Sequence, residues 1–189
     1  MVTLSDLASD ITKNACESGA EIVELEVAEI GNEFRFSVKD NGKGMSDDEA
    51  KHAVDPLSGA DEGGAFYKGA GKVGIGIPFL IQTVDEHAGG WNLHTEKGAG
   101  TTFAVWFDTG SVETPPSGDI AALFTAAILQ PGPKEMIIRR LRKTGASDIR
   151  YEIRKTELTE AVGGLDDPGS VMLLSAYLRS LEGNELLVL

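Results

Sequence analysis

An α/β fold is predicted by three features of this 189-residue chain. Residues 4–18 repeat Leu4, Leu7, Ala8, Ile11 and Ala15 at helical spacing. Residues 22–30 and 34–38 alternate apolar and polar side chains as strands do. A second helical pattern, residues 76–86, is followed by a second strand pair.

The first helix gathers its apolar residues into one stripe. Asp10 and Asn14, four apart, share a face that borders it. Ile22, Val23, Leu25 and Val27 mark the first strand, and Phe34, Phe36 and Val38 line one face of the next. Gly31-Asn32 between them predicts a hairpin turn. The run Asp40-Asn41-Gly42-Lys43-Gly44-Met45 ends that strand, and Ser46 with Glu49 forms a capping-box start for a short helix to about residue 54. Residues 55–73 carry five glycines between Gly59 and Gly71 and little periodicity. A loop of that length in a compact domain is usually functional or disordered. Beyond it, Ile77, Leu80, Ile81 and Val84 face one way on a helix, and residues 91–95 and 101–107 form a hairpin through Glu96-Lys97-Gly98-Ala99-Gly100.

Residues 109–119 are rich in Gly, Pro, Ser and Thr and read as a linker. They separate a first domain, residues 1–108, from a small α/β region, residues 120–189. In that region the pattern predicts a strand over 120–129, a helix over 134–143, a strand over 149–154 and a last helix. Pro168 behind Asp167 opens the last helix and Gly183 closes it. The region is either a second domain or an extension packed on the first. Its KEMIIRRLRK segment (residues 134–143) is read as a helix with a solvated basic face.

The net charge of −13 is unevenly placed: residues 1–118 hold 8 basic and 20 acidic groups, residues 119–189 hold 9 and 10. So acidic a field repels phosphate backbones, which argues against nucleic-acid binding and implies that any nucleotide arrives with a metal cation. No apolar run is long enough to span a membrane, and no signal peptide opens the chain. A single cysteine, Cys16, excludes an internal disulfide and favours a cytoplasmic location.

Four short motifs carry chemistry. Asn14 offers an amide oxygen suited to Mg²⁺, and Asp10 a carboxylate able to take a proton from water. Asp40, at a strand end, can accept from an exocyclic amine, while Gly42 and Gly44 let the backbone approach a flat base. Lys72, Gly74 and Gly76 lead into a helix, whose N-terminal amides attract phosphate. Gly98, Gly100 and Thr101 enter the last strand of the segment with a hydroxyl within reach of a base. Each motif alone has an ordinary alternative: a solvated helix face, an Asn-Gly turn, a glycine-rich turn, a hairpin.

Taken in order, the four resemble the ATPase superfamily of histidine kinases, gyrase B subunits, mismatch-repair MutL proteins and heat-shock chaperones. The resemblance covers about residues 4–107. DITKNACESGAEIVELEV and VKDNGKGMSDDE look like the N-box and first glycine box of MutL-type proteins. VGIGIPFLIQTVDEHAGGWNLHTEKGAGTTFAVWF is closer to the later glycine boxes of histidine kinases. The resemblance implies a two-layer α/β sandwich with a mixed, mainly antiparallel sheet. It further implies ATP and Mg²⁺ as cofactors, Asn14 as the metal ligand and Asp40 as the reader of adenine. Gly42, Gly44, Gly74, Gly76, Gly98, Gly100 and Thr101 would line the nucleotide, Lys72 would add charge, and residues 55–73 would form a lid. Asp10 takes the place of the glutamate that acts as general base in the hydrolysing members, one methylene shorter.

None of His52, His87 and His94 stands in a phospho-acceptor motif, so autophosphorylation within the chain is not expected. Two functions are favoured: a nucleotide-dependent regulatory module with a protein partner, and a stand-alone kinase acting on a protein substrate, as anti-sigma-factor serine kinases do. A MutL-like ATPase is opposed by the acidic balance, and a fold that has lost ATP is opposed by the retained motifs.

Overall fold

In the computed structural model, which describes residues 2–55, 76–87, 89–145 and 147–183, Thr3 opens helix α1 (Leu4–Glu17) with a capping box. Its hydroxyl accepts from the Asp6 amide at 3.2 Å, and the Asp6 carboxylate accepts from the Thr3 amide at 2.8 Å. The Thr3 hydroxyl, donating to the Asp6 carboxylate at 2.7 Å, and then the Thr3 amide hold that carboxyl below its ordinary pKa. The predicted stripe of Leu4, Leu7, Ala8, Ile11 and Ala15 is buried, joined by Thr12 and Cys16.

Strands β1 (Ile22–Ile30) and β2 (Glu33–Asp40) form the expected hairpin, with Gly31 at φ +58° in the turn. Helix α2 (Asp47–Val54) starts at the Ser46–Glu49 capping box. Helix α3 (Gly76–Glu86) leads to the hairpin of β3 (Gly90–Glu96) and β4 (Gly100–Asp108).

Three elements of residues 120–189 depart from expectation. Residues 120–129, expected as a strand, form helix α4 (Ile120–Leu129), capped by Asp119, whose carboxylate accepts from the Ala122 amide at 2.9 Å. The helix packs on both α1 and α6, so it is apolar nearly all round and shows no amphipathic stripe. Residues 134–143, expected as a basic helix, form strand β5 (Glu135–Thr144). Strand β6 (Ser147–Arg154) follows as expected, and then α5 (Lys155–Val162), for which nothing was expected. The last helix, α6 (Pro168–Leu181), begins at Pro168 behind the Asp167 cap, with Gly183 just past its end.

One six-stranded sheet runs in the order β3-β4-β2-β1-β5-β6, and every pairing is antiparallel except β1 with β5. Strand β5 therefore continues the sheet of the first hundred residues, in register from Ile22 opposite Glu135 to Ile30 opposite Lys143. The linker is also tied down: the amides of Leu4 and Ser5 donate to the carbonyls of Pro116 and Ser117, both at 2.9 Å.

Inward side chains of all six strands meet α1, α3, α4 and α6 in one core. Phe34, Phe36, Phe107, Phe124, Leu25, Leu80 and Ile138 are fully buried there. Each such side chain contributes about 1.5–3 kcal/mol of transfer free energy. The opposite sheet face carries charge ladders, including Lys39–Glu24 at 3.3 Å and Arg139–Glu152 at 2.8 Å, which keep it wet and add little stability.

Arg140 points from β5 into the core, with no side-chain exposure. Its guanidinium bonds the Glu182 carboxylate at 3.0–3.3 Å and also reaches Glu29. Glu182 further accepts from the Tyr151 hydroxyl at 2.6 Å, and its carbonyl accepts from Arg142 at 2.9 Å. Burial, then the Glu182 carboxylate beside it, pushes the Tyr151 hydroxyl well above its ordinary pKa. The cluster ties the end of α6 to β5 with a buried charge that is fully paired.

Candidate nucleotide site

Strand β2 delivers Asp40 to the inner edge of the sheet, where it is 7% exposed. Its Oδ1 accepts from the Gly42 amide at 2.8 Å and from the Ser18 hydroxyl at 3.0 Å. Among the described residues no hydrogen bond ends on Oδ2. Asn41 fixes the turn from outside: its Oδ1 accepts from the amides of Glu21 and Ile22 at 3.0 and 2.9 Å.

The glycines of this turn stand where no Cβ fits. One added at Gly42 would lie 2.0 Å from the Ser18 Oγ and 2.8 Å from the Asp40 Oδ1. One at Gly44 would lie 1.9 Å from the Glu96 carbonyl oxygen, and one at Gly100 2.0 Å from the Asp40 carbonyl oxygen. Gly44 and Gly100 also hold φ of +57° and +105°, which other residues rarely adopt. The β3–β4 hairpin is thus folded tightly over the Asp40 turn. Gly98 plays a looser part: its amide donates to the Lys43 carbonyl at 2.7 Å, and a Cβ there would meet nothing within 4 Å.

Thr101 sits opposite Asp40 in the β2–β4 register. Its hydroxyl lies 3.0 Å from that of Thr95, which also accepts from the Met45 amide at 2.9 Å. The strand register thus brings Thr101 beside Asp40, with Thr95 bonded to the Thr101 hydroxyl.

Asp10 and Asn14 lie exposed on α1. Ser18, the α1 C-cap, keeps helical dihedrals of −70° and −7°, so Asp10, Asn14 and Ser18 form one row at steps of four residues. Each step is about 6 Å along the axis. The row starts at Asp40, through Ser18, and runs away from it past Asn14 to Asp10. Cys16, beside this row but facing the core, has its thiol pushed up to about 11 by burial. Gly76 is the first residue of α3, whereas Lys72, Gly74 and all but Asp55 of the expected lid lie outside the described residues.

Ser18, Asn41 and Thr95 were not among the expected site residues. Each is a single polar residue outside a recurring pattern, and only the Asn41 position, next to Asp40, carried any signal.

The arrangement suits a purine nucleotide with a divalent cation. A carboxylate with one oxygen anchored can accept from an amine through the other. The buried glycines let the end of α1, the Asp40 turn and the β3–β4 hairpin meet with no Cβ between them. The Asn14 amide oxygen is the kind of hard ligand that joins phosphate oxygens around Mg²⁺.

Residues 2–111 match the family described as histidine kinase-, DNA gyrase B- and HSP90-like ATPases, which is more than half of the chain. The chain belongs to that family. It is 28% identical over 104 residues to sporulation kinase C of Bacillus subtilis (strain 168), covering 54% of this chain and 22% of that protein. It is 25% identical over 97 residues to the sensor histidine kinase ZraS of Escherichia coli (strain K12), covering 51% and 19%. The chain thus spans about a fifth of the length of these curated relatives. Among solved structures, the histidine kinase domain of the Erythrobacter litoralis EL346 blue-light-activated histidine kinase aligns with a TM-score of 0.30. It shares 19% identity, over 48% of this chain and 34% of that one. Among the described residues no helix is long and apolar enough to cross a membrane.

Proposed function

We propose that this chain binds ATP with Mg²⁺ between α1 and the Asp40 turn, and that it works as a cytoplasmic, nucleotide-dependent regulatory module on a protein partner. The observation that carries the reading is Asp40: a nearly buried carboxylate, anchored among the described residues through Oδ1 alone and flanked by two glycines that admit no Cβ. In this reading Asp40 accepts from the adenine amine, and Thr101 contacts the base edge. Asn14 holds Mg²⁺ with the phosphate oxygens, and Gly76 lies at the phosphate end. Lys72 and Gly74 are assigned to the phosphates by motif. Residues 55–73 are assigned as the lid by motif, and through them ATP alters what a partner can contact.

A stand-alone protein kinase is the second reading, favoured by the position of Asp10. It stands two helical turns from Ser18 on the same row, about 12 Å along the helix from the base end, where a γ-phosphate would lie. There its carboxylate would take the proton of an incoming hydroxyl. The shorter side chain draws the carboxylate back by about an ångström from a glutamate's reach, enough to slow transfer.

Calorimetric titration of ATP with and without Mg²⁺, on the wild type and on Asp40→Asn, tests the binding. Metal-dependent binding that the substitution abolishes is expected. No binding at millimolar ATP overturns the proposal. Labelled ATP with a cell lysate tests the kinase reading, and transfer to no protein removes it.

A further inference from the structure

We infer that Ser18 is a positioning residue that sets base selection, by pinning Oδ1 of Asp40 so that Oδ2 alone faces the base. The inference rests on the ATP reading above. A free carboxylate plane can turn through a wide range, because its terminal torsion is broad, and a half-turn only exchanges two equivalent oxygens. Two donors converging on one oxygen hold that plane at one angle and so aim the other oxygen, and here they come from different directions: the Gly42 amide within the turn and the Ser18 hydroxyl from the end of α1.

The Ser18 backbone is itself held on both sides. Its amide donates to the Ala15 carbonyl at 3.2 Å, and its carbonyl accepts from the Lys43 amide at 3.3 Å. The hydroxyl is therefore delivered to a fixed point, so close to Gly42 that a Cβ on that residue would overlap it. Rotamer entropy is spent before a ligand arrives, which is how a preorganised contact raises affinity.

The consequence is chemical. A fixed, unshared carboxylate oxygen rewards a base that offers an amine and penalises one that offers a carbonyl or a bare C–H at that place. Adenine carries the amine, guanine a carbonyl, and unsubstituted purine a C–H. Without the Ser18 hydroxyl, Asp40 keeps one anchor, and its free oxygen is less well placed.

The test compares ATP–Mg²⁺ with the Mg²⁺ complex of purine riboside triphosphate, which lacks the amine, on wild type, Ser18→Ala and Ser18→Thr. Binding is read by calorimetry and folding by thermal melting. Ser18→Ala is expected to weaken ATP roughly 3- to 10-fold and the amine-free analogue less than about 2-fold, so the preference for ATP narrows. Ser18→Thr, which keeps the hydroxyl, is expected to restore it. A purely structural role would lower the melting temperature and weaken both nucleotides alike, and that result overturns the inference. An unchanged preference in Ser18→Ala, with wild-type ATP binding intact and Asp40→Asn inactive, overturns the inference and leaves the ATP reading standing. A wild type that binds neither nucleotide overturns both.

Discussion

Gly100 and the carbonyl of Asp40 are in such close contact that a side-chain carbon on Gly100 would sit 2.0 Å from the oxygen. The hairpin that carries Thr101 can close over the Asp40 turn only because Gly100 has no Cβ and holds φ +105°. Gly100→Ala is expected to cost about 2–4 kcal/mol through combined clash and backbone strain, and to weaken ATP by separating Thr101 from Asp40. Gly145→Ala, where a Cβ meets nothing within 4 Å, is the control and stays within about 0.5 kcal/mol. Chemical denaturation of the two variants decides it, and equal effects would remove the close approach as the cause.

Replacing one atom of Asp40 separates binding from folding. In Asp40→Asn the side-chain oxygen can still accept from Gly42 and Ser18, so the turn survives. The other position becomes an NH₂ that meets an amine donor-to-donor. Affinity for ATP is expected to fall about 100-fold or more while the melting temperature moves by less than about 3 °C, because a reversed polar contact leaves both groups unpaired. Calorimetry beside a melting curve reads both quantities.

The same contrast between local and distant signals explains which elements the sequence revealed. Helix α1, the two hairpins, the Ser46 capping box and the Pro168–Gly183 bounds of α6 are written in nearby residues, and all appear where expected. Strand β5 was hidden because Arg140 takes a core-facing position between Ile138 and Arg142, which breaks the apolar alternation. Its acceptability there depends on Glu182, 42 residues further on. Helix α4 was hidden for the opposite reason, being buried on too many sides to show a stripe. Helix α5 begins directly after β6, lacks a side-chain cap and buries no residue, so nothing announces it. At the site, Asp40 and its glycines were legible because the turn itself demands them, whereas Ser18 acquires its role only when the end of α1 reaches the turn.

The Arg140–Glu182 pair gives a stability test. Arg140→Ala leaves the Glu182 carboxylate, whose side chain is 3% exposed, with only the longer Arg142 contact at 3.5 Å and the Tyr151 hydroxyl, and is expected to cost about 3–5 kcal/mol. The double replacement Arg140→Met with Glu182→Leu removes both charges and is expected to recover part of that loss, with Tyr151 and Glu29 left short of one partner each. A double-mutant cycle measured by denaturant unfolding checks the coupling. Strict additivity would show that the two groups do not act as a pair.

Cys16 supplies a prediction in pH. Burial raises its thiol from an ordinary 9.0 to about 11 in the folded chain. Between those values the unfolded chain has released the proton and the folded chain has kept it. Stability therefore falls as pH rises from 9 to 11, by at most on the order of 2–3 kcal/mol, and is unaffected below 9. Cys16→Ala lacks this loss. Stability curves of both chains against pH measure the difference. At pH 8 the native thiol also resists iodoacetamide while the urea-unfolded chain reacts.

Truncation after residue 118 asks whether the first hundred residues stand alone as a domain. Strand β1 is hydrogen-bonded to β5 along its whole length, from Ile22 to Ile30, and α1 packs on α4. Removing residues 119–189 turns β1 into an open edge of alternating Val23, Leu25 and Val27, and uncovers the part of α1 that α4 covers. An exposed, regular edge strand pairs readily with other chains. Residues 1–118 alone are expected to aggregate or melt without a cooperative transition, while the full chain melts as one unit, since one core spans α1, the sheet, α4 and α6. Light scattering and calorimetry on the two chains test this. A soluble fragment with a sharp melt and wild-type ATP affinity would instead make residues 120–189 a separable addition, docked on a unit that is already complete.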